Sequence, residues 1–289
     1  MALYAFDGTW NDEKDAGRYD LNTNVVRFKD CYAGTKFFYK GVGTKHGTLG
    51  KLLGGAFGVG GHERIDEGKR DIAKQFAAGD EVIDIVGFSR GAALAVDFAN
   101  VISDSGVKVG SETLKPEIRF LGVFDIVAAF GIPIDIGIRF NRINLGYKLG
   151  LPKSVKYCYH ALALDEARRA FRPTRVQGGC EVWFRGVHSD IGGGNDNHAL
   201  NDITLRWMLH KAIASGLPMT ADCIDLNCGR ANVDGVIGHN FDLIEGRARE
   251  PKPGDRYHYT VSSRVKCVNP PDPCTRETIE LESTFWVRP

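Results

Sequence analysis

The chain has 289 residues, enough to bury a substantial core as one large α/β domain or two small ones. Its 37 Lys and Arg offset 36 Asp and Glu to a formal net charge of +1, so charge gives no reason to expect nucleic acid as the main ligand. Hydrophobic residues at 43% and charged residues at 25% are ordinary for a globular protein, and no uninterrupted apolar run reaches transmembrane length.

The N-terminus runs straight into a short apolar strand, Leu3–Phe6, which ends in the polar turn Asp7-Gly8-Thr9-Trp10-Asn11. It has no basic n-region or long apolar h-region, so no classical signal peptide is expected and the expected compartment is the reducing cytoplasm. Export by a dedicated secretion machine would need no such leader. Asn24–Tyr32 is a predicted helix begun by Asn22 or Thr23, and Lys36–Lys40 a second strand. The run Gly41–Gly61 is too rich in glycine for a helix interior and lacks the Walker spacing, so it is read as a loop over the site. His62–Ala78 is a predicted amphipathic helix.

The stretch Glu81–Asp97 organises the rest. Val82, Ile83, Ile85 and Val86 form a buried, β-branched strand, and Ala92–Ala95 suit a buried helix. Between them lies Gly87-Phe88-Ser89-Arg90-Gly91, a G-x-S-x-G at a strand-to-helix turn. In that context Ser89 is a candidate nucleophile, with Gly87 and Gly91 keeping the turn free of bulk. The Arg90 amide, at the helix N-terminus, can donate to a developing oxyanion.

Ile118–Phe124 is the next strand and ends at Asp125. Ile126–Leu151 is apolar but broken by glycines and Pro133; it fits a cap over an apolar pocket or core-facing loop and short helix equally well. Its Ile132, Ile134 and Ile138 are the candidate substrate-binding residues. Val155–Leu164 is a strand, followed by the charged segment Asp165–Phe171; Glu181–Val187 is a strand, followed by His188-Ser189-Asp190 and three glycines. Ile203–Ser215 is a predicted helix. Tyr257–Val268 and Thr278–Val287 alternate like strands and form a small C-terminal β appendage over about 251–289, packed on a core over about 1–250 as one unit. Cys31, Cys158 and Cys180 adjoin apolar runs and are expected to be buried thiols; Cys223/Cys228 and Cys267/Cys274 are loop-like, and no C-x-x-C pattern supports a metal.

Strands alternating with helices and long loops predict an α/β layered sandwich with a mainly parallel central sheet. Sites in such sheets lie at the strand carboxyl ends. Ser89, Asp125, His188 and Asp7 all follow strands directly. A serine needs a histidine base held in the right tautomer by a carboxylate, and the order Ser89, Asp125, His188 suits a nucleophile elbow. His239 is the serious rival base, and Asp165 the rival acid. Gly8 and Thr9 are placed to supply a second oxyanion amide, while Asp7 either supports that turn or pairs with Arg90. Asp190 is a candidate to orient the loop carrying His188. Asp7 and Asp190 are two carboxylates, which is too few for a cation site, so neither a metal nor another cofactor is expected.

The segments Asp7-Gly8-Thr9-Trp10-Asn11, Gly41-Val42-Gly43-Thr44, Gly87–Ala92, Gly122–Asp125 and Gly186–Gly194 together resemble the motif series of the α/β-hydrolase-like domain family that includes the catalytic domain of type VI secretion phospholipase effectors. Ala161–Pro173 also fits. The resemblance implies a three-layer α/β-hydrolase-like sandwich, with nucleophile, acid and base at Ser89, Asp125 and His188, and so favours Asp125 over Asp165. This chain departs from the family pattern in having Phe124 and Ile126 where Trp and Thr usually flank the acid. The expected activity is a serine esterase on lipid or phospholipid esters, with peripheral membrane contact and no nucleic acid partner. The alternatives are an esterase on small soluble esters and a non-catalytic module on the same scaffold.

Overall fold

The computed structural model describes residues 1–8, 13, 21–41, 56–128, 148–168, 171–238, 249–264, 278–282 and 284. The first strand, β1 (Ala2–Phe6), alternates its side chains between two cores: Ala2, Tyr4 and Phe6 enter one, Leu3 and Ala5 the other. Helix α1 (Asn24–Cys31) starts where the Thr23 hydroxyl accepts the Val26 N–H at 3.4 Å. Strand β2 (Thr35–Tyr39) pairs parallel to β1.

Helix α2 (Ala56–Ala77) begins six residues before the expected His62 and takes in Gly58, Gly60 and Gly61. Downstream anchoring explains this. Ile65, Ile72 and Phe76 are buried in the core, and tertiary packing of that length outweighs the glycine penalty. The rest of the expected glycine loop, 42–55, lies outside the described residues.

Strand β3 (Ile83–Phe88) leads into α3 (Ser89–Ser105). A hairpin that the sequence analysis passes over follows, β4 (Val107–Val109) and β5 (Glu112–Leu114), closed by the two-residue turn Gly110-Ser111. Then come β6 (Ile118–Phe124), β7 (Val155–Ala163), β8 (Cys180–Phe184) and the short helix α4 (His188–Gly192). Helix α5 (His198–Ala214) starts five residues before the expected Ile203, because its polar first turns are buried against α1: Asn201 and Asp202 accept from Arg27 at 2.9 and 2.6 Å. Cys223 and Cys228 are buried thiols on helix α6 (Cys223–Cys228), where the sequence suggested loop.

At the C-terminal end, β9 (Arg256–His258) and β10 (Ile279–Glu280) are much shorter than the alternation suggests, and Tyr259–Ser263 is a helix, α7. They do not form a separate layer. Both add parallel strands to the edge of the main sheet, whose order is β10-β9-β8-β7-β6-β3-β1-β2. Helices α2 and α3 pack on one face of this sheet, α1, α5 and α6 on the other, giving the three layers. No helix among the described residues is long and apolar enough to cross a membrane.

Candidate active site

The register pairs Phe88 at the end of β3 with Phe124 at the end of β6, so Ser89 and Asp125 leave adjacent strands side by side. These two are the non-glycine residues with positive φ among the described residues, at 58° and 39°. Backbone strain is thus concentrated at two neighbouring strand ends. The turn at Ser89 depends on close backbone approach. A Cβ at Gly91 would lie 2.3 Å from the Asp7 carbonyl oxygen, and one at Gly87 would lie 2.7 Å from the Ala92 Cα. Glycine lets α3 start directly against the ends of β1 and β3.

His188 enters from beyond β8 and closes the constellation. Its Nε2 is 2.8 Å from Ser89 Oγ, and its Nδ1 is 2.6 Å from Asp125 Oδ2. All three residues are buried, Asp125 completely. The imidazole is wedged between the Phe88 ring at 4.7 Å and the Phe171 ring at 4.8 Å. The backbone N–H of His188 donates to Glu166 Oε2 at 3.1 Å. Glu166 in turn is held by Arg168 at 2.9 and 2.8 Å. The Asp190 carboxylate, on the same short helix as His188, accepts the N–H groups of Val187 and Gly238, both at 3.0 Å, and the amides of Asn195 and Asn197.

The rival acid is elsewhere. Asp165 accepts from Arg185 Nε at 2.9 Å and from the Gly186 N–H at 2.7 Å. The rival base His239, Thr9 and the three isoleucines 132, 134 and 138 lie outside the described residues. Gly8 is described, and its N–H already donates to Asp7 Oδ1 at 2.7 Å. Asp7 Oδ2 accepts the Thr23 hydroxyl at 2.9 Å, so this carboxylate ties the β1 turn to the cap of α1. Arg90 follows Ser89 at the N-terminus of α3; burial lowers its guanidinium to about 10.

Arg249, which no sequence motif marks, also reaches Asp125. Its guanidinium forms a two-nitrogen pair with Asp125, Nη1 to Oδ1 at 2.5 Å and Nη2 to Oδ2 at 3.0 Å. Burial alone would raise the Asp125 carboxyl, but the charge of Arg249 and the hydrogen bond and charge of His188 outweigh it and hold it below the usual carboxylate range. Burial pulls His188 below the ordinary histidine value; Asp125 pulls it up, and Arg249 pushes it down again. Nothing in the local sequence, Gly246–Glu250, distinguishes Arg249 from a solvated charged run.

A parallel three-layer sheet with a hydrogen-bonded serine, histidine and aspartate at its carboxyl end defines an α/β-hydrolase-like protein. The sequence matches the family described as T6SS, phospholipase effector Tle1-like, catalytic domain, over residues 3–114 and 108–211. The chain belongs to that family. A solved structure of an uncharacterized protein from Pseudomonas aeruginosa aligns with 80% of this chain and 48% of its own at 19% identity and a TM-score of 0.51, a likeness in fold. The Tle1 effector bound to the VgrG spike of the type 6 secretion system aligns with 68% of this chain and 51% of its own, at 25% identity and a TM-score of 0.47. The chain thus spans about half the length of these solved structures. No curated protein matches the sequence.

Proposed function

We propose that this chain is a serine esterase acting on lipid or phospholipid esters. The observation that carries the reading is the unbroken hydrogen-bond chain Ser89–His188–Asp125 at 2.8 and 2.6 Å. Ionised Asp125 only accepts hydrogen bonds, so the His188 proton belongs on Nδ1 and Nε2 is left to accept from Ser89. As Ser89 Oγ attacks the ester carbonyl, its proton passes to Nε2. His188 then gives that proton to the departing alkoxide, leaving an acyl-serine. Water, deprotonated by Nε2, hydrolyses the acyl-enzyme and restores Ser89. The Arg90 amide, at the N-terminus of α3, and the Thr9 amide are the proposed oxyanion donors.

The substrate class rests on family membership and on the path of the chain after Asp125. The Val127 N–H donates to the Ser89 carbonyl at 3.3 Å, so the apolar stretch starting at Ile126 begins beside the nucleophile. We place the acyl pocket along that stretch, with Ile132, Ile134 and Ile138 as its alkyl-binding residues. A lipid substrate makes peripheral membrane contact part of the proposal. Membership of an effector family likewise implies that the protein acts after export from the cytoplasm where it is made.

The test is labelling with a fluorophosphonate, followed by an ester series of increasing acyl length. Ser89 should carry the label, Ser89→Ala should abolish turnover in a folded protein, and long acyl chains should be preferred. Substantial turnover by Ser89→Ala would overturn the mechanism. A preference for acetyl esters would move the substrate to small soluble esters.

A further inference from the structure

We infer that Arg249 is a positioning residue of this site: its guanidinium clamps both oxygens of Asp125 and ties the acid to two loops at once. This rests on the reading of Ser89, His188 and Asp125 given above. Besides Asp125, Arg249 Nη1 donates to the Ala163 carbonyl at 2.8 Å, and Nη2 donates to the Phe171 carbonyl. The guanidinium thus joins the end of β6, the end of β7 and the backbone of Phe171, the residue whose ring packs on His188. Its side chain is only 5% exposed, and that of Asp125 is fully buried. The pair is therefore shielded from water and salt, and its forked geometry fixes the plane of the carboxylate.

That plane matters because each Asp125 oxygen has an assigned partner. Oδ1 accepts the Ala163 N–H at 3.0 Å as well as Arg249, and Oδ2 accepts His188 as well as Arg249. Without the clamp, one N–H would remain to hold the acid against the imidazole. The clamp also has an electrostatic consequence. The charged groups facing His188 are Asp125 from β6, Glu166 with its partner Arg168 from the loop after β7, Asp190 on its own helix, and Arg249 from the segment before β9. Arg249 is the cation that neutralises Asp125 directly, which disfavours the imidazolium. The base is weakened but stays neutral, and so competent, to lower pH. Arg249 lies beyond residues 3–211, where the family match ends, so a segment outside the matched region completes the site.

The test uses the full chain, with Arg249→Gln and Arg249→Lys compared with the parent. Histidine titration by NMR reads His188 without any substrate. Gln should raise the His188 pKa by on the order of one unit, and Lys, which keeps the charge, should leave it near the parent value. The pH dependence of fluorophosphonate labelling at Ser89 gives the second readout. Its acid limb should move up by the same amount in Gln, and both variants should label roughly 10- to 100-fold more slowly because the acid is misplaced. A His188 titration unchanged in Gln, or a Lys variant that labels at the parental rate, would overturn the inference. If Gln fails to fold, the Lys labelling rate decides. Absence of label at Ser89 in the parent would instead overturn the proposed function, while the titration still reports on the clamp.

Discussion

Replacing Asp125 with Asn separates the chemistry of the site from its packing, because the two shapes are nearly identical. In the parent, four N–H groups point at the carboxylate: Ala163 N and Arg249 Nη1 at Oδ1, and His188 Nδ1 and Arg249 Nη2 at Oδ2. An amide can accept at one end only. With its oxygen at the Oδ1 position, the NH2 opposes one buried donor, Arg249 Nη2, and faces His188, where it forces the proton from Nδ1 to Nε2 and so blocks transfer from Ser89. With its oxygen at the Oδ2 position, the NH2 faces the Ala163 N–H and Arg249, and buried donors oppose one another at about 1–3 kcal/mol each. The first arrangement is expected, and in the serine-protease template the wrong tautomer costs about 10⁴ in rate, or roughly 5 kcal/mol of barrier. Asp165→Asn is the control. Its oxygen can keep the Gly186 N–H, and the change loses only the partly exposed pair with Arg185, roughly 1 kcal/mol of stability. Turnover of a chromogenic ester across pH, with a thermal melt on each variant, is the assay. If Asp125→Asn stays within tenfold of the parent while Asp165→Asn loses most activity, the acid has been misassigned.

Two further predictions concern stability. His258, buried and stacked on Phe184 at 4.6 Å, is lowered by burial, and then by Lys211, to about 3. The unfolded chain therefore binds a proton that the folded one refuses between its ordinary value near 6.5 and about 3, so stability should fall as pH drops through that window; His258→Gln should flatten that slope in melts from pH 7 to 4. Lys211 on α5 pairs with Glu280 on β10 at 2.5 Å, the two side chains being 0% and 3% exposed. Lys211→Met should cost up to about 3–5 kcal/mol in urea unfolding by leaving the buried carboxylate with only the longer pair to Arg256 at 3.8 Å, and Lys211→Met with Glu280→Leu should cost less than the single change. Equal or greater loss in the double variant would show that packing, not the buried charge, holds this edge.

The parts of the site legible in the sequence are those where local pattern and chemistry coincide. Ser89, Asp125 and His188 each follow a run of apolar strand residues, and the parallel sheet puts strand ends on one side. The choice between Asp125 and Asp165 is not local, since both follow strands. What separates them is tertiary: Asp125 faces the imidazole and Asp165 faces Arg185. Arg249 is less legible still, being 124 residues from Asp125 with no hydrophobic period to mark it. The fold shows the same division. The central strands read clearly, whereas β9 and β10, with three and two residues, are too short for periodicity to locate. The polar first turns of α5 mislead because Arg27 buries them.

The strained turn at Asp125 gives that edge of the sheet a role beyond its size. A non-glycine residue at positive φ costs about 1–3 kcal/mol and persists only where its surroundings over-determine it. Here the Asp125 N–H donates to the Ala161 carbonyl at 2.8 Å, and the next N–H, of Ile126, donates to His160 Nε2 at 3.2 Å. His160 is held through Nδ1 by Glu181 at 2.9 Å, and Glu181 by Arg175 at 2.6 Å. Arg175 grips Asp255 with two nitrogens at 2.9 and 2.8 Å. Asp255 precedes β9 and lies six residues after Arg249, so the same short segment supports the acid twice: directly through Arg249, and through the chain of side chains ending at His160. Deleting it would leave the acid turn with its strain, without the two-nitrogen clamp of Arg249 and with the His160–Glu181–Arg175 chain unanchored at its far end. The strand ends place Ser89 and His188, but the geometry of the acid is a property of the edge that closes over them.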